Sequence, residues 1–318
     1  MPSNPVDIYI NQMIAQYGMS MSEARARASA LYALDLDAPL IQQYFSYMSR
    51  MIRGDMGQSI RSPGVRVSWI ILARLPWTLF TVGTGLILSC LIGVFLGTIS
   101  AFRRDKWYEP IITGTSSIIS AIPDFLIGIF LIIIFGIITW FGRSEPLIPI
   151  HSMRGTSTPG MSWDDGIFYL WDILVHGFLP ITTYALAQIG MWVLLMKGST
   201  TSTLNKDYVR LAEARGLKNS KIMSRYVSRN ALLPIATEFA MRMGFILGGS
   251  LIIEQLFVYE GLGLELLNAV HNRDYPVMQG IFLVITSCIV FANLFAELLY
   301  GILDPRTRIR RSGSNDQN

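Results

Sequence analysis

Few residues in this chain can do chemistry, and most of them stand in apolar surroundings. Glu238 and Arg242 are four apart, a spacing that puts both on one helix face where they can pair. Ionisable groups inside an apolar span usually face a bundle interior or a cavity, so this pair reads as a pathway or partner-interface candidate, with a purely structural pair as the alternative. Glu254 and Glu297 lie near the ends of apolar runs, from which an acidic side chain can reach the membrane surface. The histidines His151, His176 and His271 are scattered, and Cys90 and Cys288 both fall inside apolar runs, where a cysteine reads as a small buried residue. No His-Glu-x-x-His set and no G-x-x-x-x-G-K-[ST] phosphate loop occurs. The residues therefore show no catalytic set, no metal-ligand cluster and no ATPase centre in this chain.

The elements that must position these charges are membrane helices. Of 318 residues, 51% are hydrophobic and 15% charged, against about 25% charged in soluble domains, and the mean hydropathy is +0.42. Apolar runs near 78–101, 110–141, 173–196, 231–259 and 279–303 each reach the length of a span, roughly 20 residues. Lipid cannot satisfy free backbone groups, and no barrel alternation is present. The fold class expected is an all-α polytopic membrane protein of about five transmembrane helices. Gly93, Gly97, Gly128, Gly136, Gly244, Gly248 and Gly249 permit close helix approach, and Pro123 permits a kink.

The basic residues orient the spans. Arg103, Arg104 and Lys106 crowd 102–109, eight Lys and Arg lie in 197–230, and four Arg lie in the tail 304–318. The alternate loops, 142–172 and 260–278, hold only Arg143, Arg154 and Arg273. Basic loops stay in the cytoplasm, so 197–230 and the tail are expected inside. Residues 1–77 then form an extracytoplasmic segment, 78–303 the transmembrane domain, and 304–318 a cytoplasmic tail. Seven arginines in 1–77 oppose translocation, and no signal peptide is visible.

Between two apolar runs stands DYVRLAEARGLKNSKIMSRYVSRNALLP, residues 207–234. Leu204, Tyr208 and Leu211 recur at the spacing of one helix face. At 100° per residue, Ile222, Met223, Tyr226 and Val227 share a second face, beside a stripe of Lys218, Lys221, Arg225 and Arg229. Gly216 supplies a turn between the two pieces, and Asn219 or Ser220 supplies a cap. Two short amphipathic helices are expected. A positive-inside loop resting on the bundle, a basic helix on anionic lipid, and a docking element for a cytoplasmic partner all fit this pattern.

Residues 208–234 resemble the cytoplasmic EAA loop of ABC importer permeases, most closely the peptide/nickel branch and its B-type subunit. RGDMGQS (53–59), RLPWTL (74–79), IPDFLIG (122–128), GLG (261–263), NRDYPVMQG (272–280) and LLYGILDPRTR (298–308) follow in the order of that family. The resemblance implies a type I ABC importer permease fold. It implies as partners a second homologous permease chain, two cytoplasmic ATPase subunits, an extracytoplasmic solute-binding protein and membrane lipid, with no nucleic acid. It assigns ATPase docking to Tyr208, Arg210, Ala212, Gly216, Leu217, Arg225, Leu233 and Pro234. Asn272, Arg273, Asp274 and Tyr275 fall on an outer loop near the binding protein. Two positions depart from the family: Arg210 stands at the motif's glutamate, so Glu213 is not credited with that role, and Glu260 stands at the usual proline before GLG. The implied solute is a dipeptide, oligopeptide, glutathione, nickel or oligosaccharide, and an ion-gradient-driven secondary transporter is the rival reading. PSNPVD (2–7) and LDLDAPLIQQY (34–44) resemble segments that follow a first spanning helix in relatives. No such helix precedes them here, so Met1 is expected to be an internal methionine of a longer frame or the gene to be truncated, with a genuine five-span permease as the alternative.

Overall fold

The structure, a computed structural model, describes residues 5–32, 38–137, 148, 150–245 and 251–303. The expected tail 304–318, Arg143, Gly248 and Gly249 lie outside them. Three short helices come first: α1 (Pro5–Tyr17), α2 (Met21–Tyr32) and α3 (Leu40–Ile52). Helices α1 and α2 close a small core of their own around Tyr9, Ile10, Ala24 and Ala28. Helix α4 (Val67–Phe102) follows, then α5 (Tyr108–Ala121) and α6 (Asp124–Ile132), which ends in a π-helical turn to Ile137. Helix α7 (Ile167–Leu204) leads to α8 (Asp207–Ala214). The turn α9 (Asn219–Lys221) runs through a π-helical segment, Ile222–Val227, into α10 (Ser228–Phe245). Helices α11 (Leu251–Leu256), α12 (Leu262–His271) and α13 (Tyr275–Leu303) hold the last of the described residues. Among the described residues there is no strand.

Among the described residues three helices, α4, α7 and α13, are long and apolar enough to cross a membrane, and the α5–α6 pair, bent by 101°, counts as at most one more. The bend falls at Ile122–Pro123, as proline disfavours helix at the residue before it. The fourth expected run, 231–259, includes most of α10 and all of α11, and α10 carries Glu238 and Arg242 where a simple span would be apolar. Helix α4 begins at Val67, before the expected boundary at 78. Its single charge there, Arg74, is matched by Glu260 and Glu265 and does not stop the helix. With 36 residues α4 is ~54 Å long, well beyond the roughly 30 Å of hydrocarbon.

Helix α7 is the hub of the bundle, packing on α4, α5, α6 and α10. Small residues set its closest contacts. A Cβ on Gly93 would lie 2.3 Å from the Trp192 Cβ, and one on Gly97 2.5 Å from the Val193 carbonyl oxygen.

Glu254 corrects an expectation. It does not reach the membrane surface: it is 1% exposed. The Thr78 hydroxyl donates to its Oε1 at 2.7 Å and the Leu264 amide donates to its Oε2 at 3.0 Å. Thr78 in turn accepts from the Leu262 amide at 2.8 Å. These donors replace water around the carboxylate, so burial is tolerated. Replacing Glu254 by Ala leaves the buried Thr78 hydroxyl and the half-buried Leu264 amide without this acceptor. The expected cost is about 1–3 kcal/mol, read as a lower melting temperature of the purified protein in detergent. Gly261→Ala should act in the same direction, since its Cβ would sit 2.3 Å from Glu254 Oε1.

Candidate functional site

The segment 207–234 folds against the shared end of α4 and α7. Val209, Ala212, Ile222 and Val227 are buried together, and Tyr208, Leu217 and Tyr226 pack around them with Phe102 and Leu204, the last residues of α4 and α7. This cluster is separate from the main core. Arg103, Arg104 and Lys106 follow α4 at the same end, so the basic residues of two loops gather on one side of the bundle.

The turn at Gly216 follows from backbone chemistry. Gly216 has φ +70, the left-handed region that favours glycine. Its amide donates to Glu213 O at 2.9 Å and the Leu217 amide to Ala212 O at 3.3 Å, the paired bonds of a Schellman helix end. No atom crowds the space a Cβ would occupy, so the requirement is conformational.

Three local expectations change. Lys218, not Asn219 or Ser220, is the residue that caps the second piece, and no side chain closes that cap. The second piece is not a separate short helix, because the π-helical turn Ile222–Val227 carries it straight into α10. Leu211 is 54% exposed rather than packed with Leu204. The chain breaks helix at Asn205 and Lys206, so a period counted from Leu204 does not carry into α8. Val209 and Ala212 take the inner face instead.

Of the eight loop positions, Ala212 is buried and Tyr208, Leu217 and Leu233 are half-buried. Arg210, Gly216, Arg225 and Pro234 are exposed. Helix α8 therefore presents Arg210 and Leu211 outward while Ala212 holds it down. Two ties fix this end to the bundle. Ser199 Oγ donates to Ala231 O at 2.8 Å. Lys197 Nζ donates to Glu109 and, at 2.8 Å, to Thr113 Oγ1, joining α7 to α5. In the sequence Lys197 is only one more basic residue; its partners lie 88 and 84 positions away.

Glu238 and Arg242 are paired, Arg242 Nε donating to Glu238 Oε1 at 2.7 Å. Arg242 Nη1 also donates to Gln188 Oε1 at 2.7 Å, and its guanidinium lies 5.9 Å from the centre of the Trp192 ring. The pair thus ties α10 to α7 while both side chains keep about 30% exposure. A groove of about 1000 Å³ between α4, α10 and α13 is lined by apolar side chains such as Leu91, Phe239 and Phe295. It offers a peptide backbone no partner for its polar groups.

The four positions expected on an outer loop separate. Asn272 and Arg273 are exposed, Tyr275 is half-buried, and Asp274 is 3% exposed. Asp274 accepts from the Ser59 hydroxyl and from the Arg61 amide at 3.2 Å, fastening the segment before α4 to the start of α13. Asp274 therefore serves the fold of the turn, and only its neighbours offer a free surface.

Residues 93–309 match a family described as binding-protein-dependent transport system inner membrane components. The chain is 31% identical over 309 residues to a putative peptide permease protein of Brucella suis biovar 1, covering 97% of this chain and 90% of the relative. It is 31% identical over 306 residues to an oligopeptide transport system permease protein of Bacillus subtilis, covering 96% and 90%. A dipeptide transport system permease protein of Escherichia coli K12 is 29% identical over 321 residues, covering 98% and 91%.

Gly216→Val should unfold the α8 end, because a β-branched residue is strained at positive φ; Gly216→Ala should cost roughly 1 kcal/mol and Gly216→Asn less. Limited proteolysis within 205–222 measures this, with the expected order of cleavage Val above Ala above Asn.

Proposed function

Because this chain belongs to the family of binding-protein-dependent transport system inner membrane components, we propose that it forms one half of the channel of an ATP-driven importer of peptides. It is a permease subunit of the inner membrane, and ATP hydrolysis belongs to a separate subunit. A binding protein delivers the solute to such systems. Peptides are the solute class we adopt, from the relatives' printed activities.

The observation that carries the reading is the small separate core under α8 and the π-helical turn, with Arg210 and Leu211 left facing outward. An exposed leucine beside an arginine on an anchored helix suits a partner's groove. We place an ATPase subunit there, on the cytoplasmic side, with residues 1–77 and the 260–278 loop outside, 78–303 spanning, and the tail 304–318 inside. Closure of two ATPase subunits would push α8 as a rigid body and tilt α4, α7 and α10 between two packings. We assign the apolar groove between α4, α10 and α13 to contact with the second permease chain. We place Glu238 and Arg242 at the wall of the pathway, since partly exposed charges within a membrane segment need water or a polar partner.

Leu211→Asp with Arg210→Glu should remove most of the ATPase that co-purifies with the chain while leaving its membrane level unchanged; wild-type co-purification would sink the docking assignment. Arg242→Leu should lower peptide uptake at least about tenfold with the complex intact, and Arg242→Lys by less, as Lys lacks the fork that binds Glu238 and Gln188 together. Uptake in proteoliposomes driven by an ion gradient without ATP would favour the secondary-transporter reading. Cysteine at Asn272, in a chain lacking Cys90 and Cys288, should react with an impermeant maleimide added outside; reaction only from the cytoplasmic side would invert the topology.

A further inference from the structure

Helix α3 has no task in the transport scheme, yet its composition is sharply two-sided. At about 100° per residue, Leu40, Ile41, Tyr44, Phe45, Met48 and Ile52 fall within one arc of the helix. Gln42, Ser46, Ser49 and Arg50 fall on the other, with Arg53 at its end. The rest of the molecule covers only the edge of the apolar arc. Met51 is buried, and the Tyr47 hydroxyl donates to Gln279 Oε1 at 2.8 Å. Leu40, Ile41, Tyr44, Phe45 and Ile52 are left 58–82% exposed.

The Tyr47 bond sets the depth of this face. Gln279 lies in the second turn of α13, a helix long and apolar enough to span. Phe282, one turn further along, is itself exposed. The uncovered face of α3 therefore sits near the start of α13, a helix that itself leaves Phe282 exposed. The tyrosines Tyr44 and Tyr47 at that level, and arginines away from the apolar arc, match the chemistry of the headgroup boundary. In water such a contiguous apolar face would be an association hazard.

We propose that α3 lies in the plane of the membrane interface at the end of the bundle where α13 begins, with its apolar arc in the acyl-chain boundary of phospholipids. The helix holds the N-terminal segment, including the α1–α2 unit, at the membrane surface. The inference rests on α13 being a span and is independent of what is transported.

Spin labels test this in the assembled transporter, reconstituted in nanodiscs of phosphatidylethanolamine and phosphatidylglycerol, with Cys90 and Cys288 replaced by Ala. Labels follow Ile41→Cys and Phe45→Cys on the apolar arc, and Gln42→Cys and Ser49→Cys on the polar one. Oxygen partitions into lipid and a nickel chelate into water. The ratio of oxygen to nickel accessibility should be at least about threefold higher at 41 and 45 than at 42 and 49. Equal ratios at all four sites would place α3 in water and overturn the proposal. Low accessibility to both reagents at 41 and 45 would also overturn it, because a protein surface then covers the face.

Discussion

The whole arrangement depends on how closely α4 and α7 approach one another. Gly93 and Gly97, four apart, let the backbone of α4 reach Trp192 and Val193 with no room for even a methyl group. In lipid the hydrophobic effect does not drive helices together, so close van der Waals contact must do so. Trp192, Met196 and Leu86, all almost fully buried, fill the space beside this seam. The same device recurs around the bundle. A Cβ on Gly190 of α7 would lie 2.2 Å from the Ser116 carbonyl oxygen of α5, and one on Gly244 of α10 would lie 2.6 Å from the Ala292 Cβ of α13. Helix α7 thus holds neighbours on two sides through glycine contacts.

This seam determines what the loop helices can do. Phe102 and Leu204 are the last residues of the two packed helices, and both contribute to the core beneath α8. The π-helical turn continues into α10 without a break. A push on α8 is therefore shared by α4, α7 and α10 at once. Compliance is favoured where helix is interrupted, as at the break after Leu204, the turn at Gly216 and the bend at Pro123. Two packings of one bundle differ by rotations at such points more readily than by deformation of close-packed helices.

Local signals were legible in the sequence, and long-range ones were not. Gly216 marked its turn because only a few residues tolerate positive φ. Ile222 and Val227 are buried as their spacing predicts, and Glu238 and Arg242 pair as a four-residue interval allows. Leu211 misled because a helical period was counted across the break at Asn205. Glu254 and Asp274 were illegible for a different reason. Their decisive partners, Thr78 and Ser59, stand 176 and 215 positions away, and no local pattern marks a carboxylate that is to be solvated by another helix. The apolar runs announced a membrane bundle, but hydropathy alone does not separate one long span from a bent pair such as α5–α6.

The turn before α12 illustrates how magnitude decides between two explanations of rigidity. Where the family resemblance implies a proline before GLG, this chain has Glu260, which pairs with Arg74 across the turn. Both side chains are substantially exposed, 31% and 52%, and an ion pair of that kind contributes about 0–1 kcal/mol. Two residues of the same turn, the buried Leu262 and the half-buried Leu264, are held by bonds to Thr78 and Glu254, and Gly261 lies directly against the Glu254 carboxylate. Leaving the buried Leu262 amide unsatisfied costs about 1–3 kcal/mol. The turn is therefore held from beneath by Glu254 and Thr78, and Arg74–Glu260 only orients its rim. A proline limits the backbone at one residue, whereas this carboxylate links α4, α11 and α12 together. Its loss would loosen all three, which is why an acidic residue can persist here at full burial.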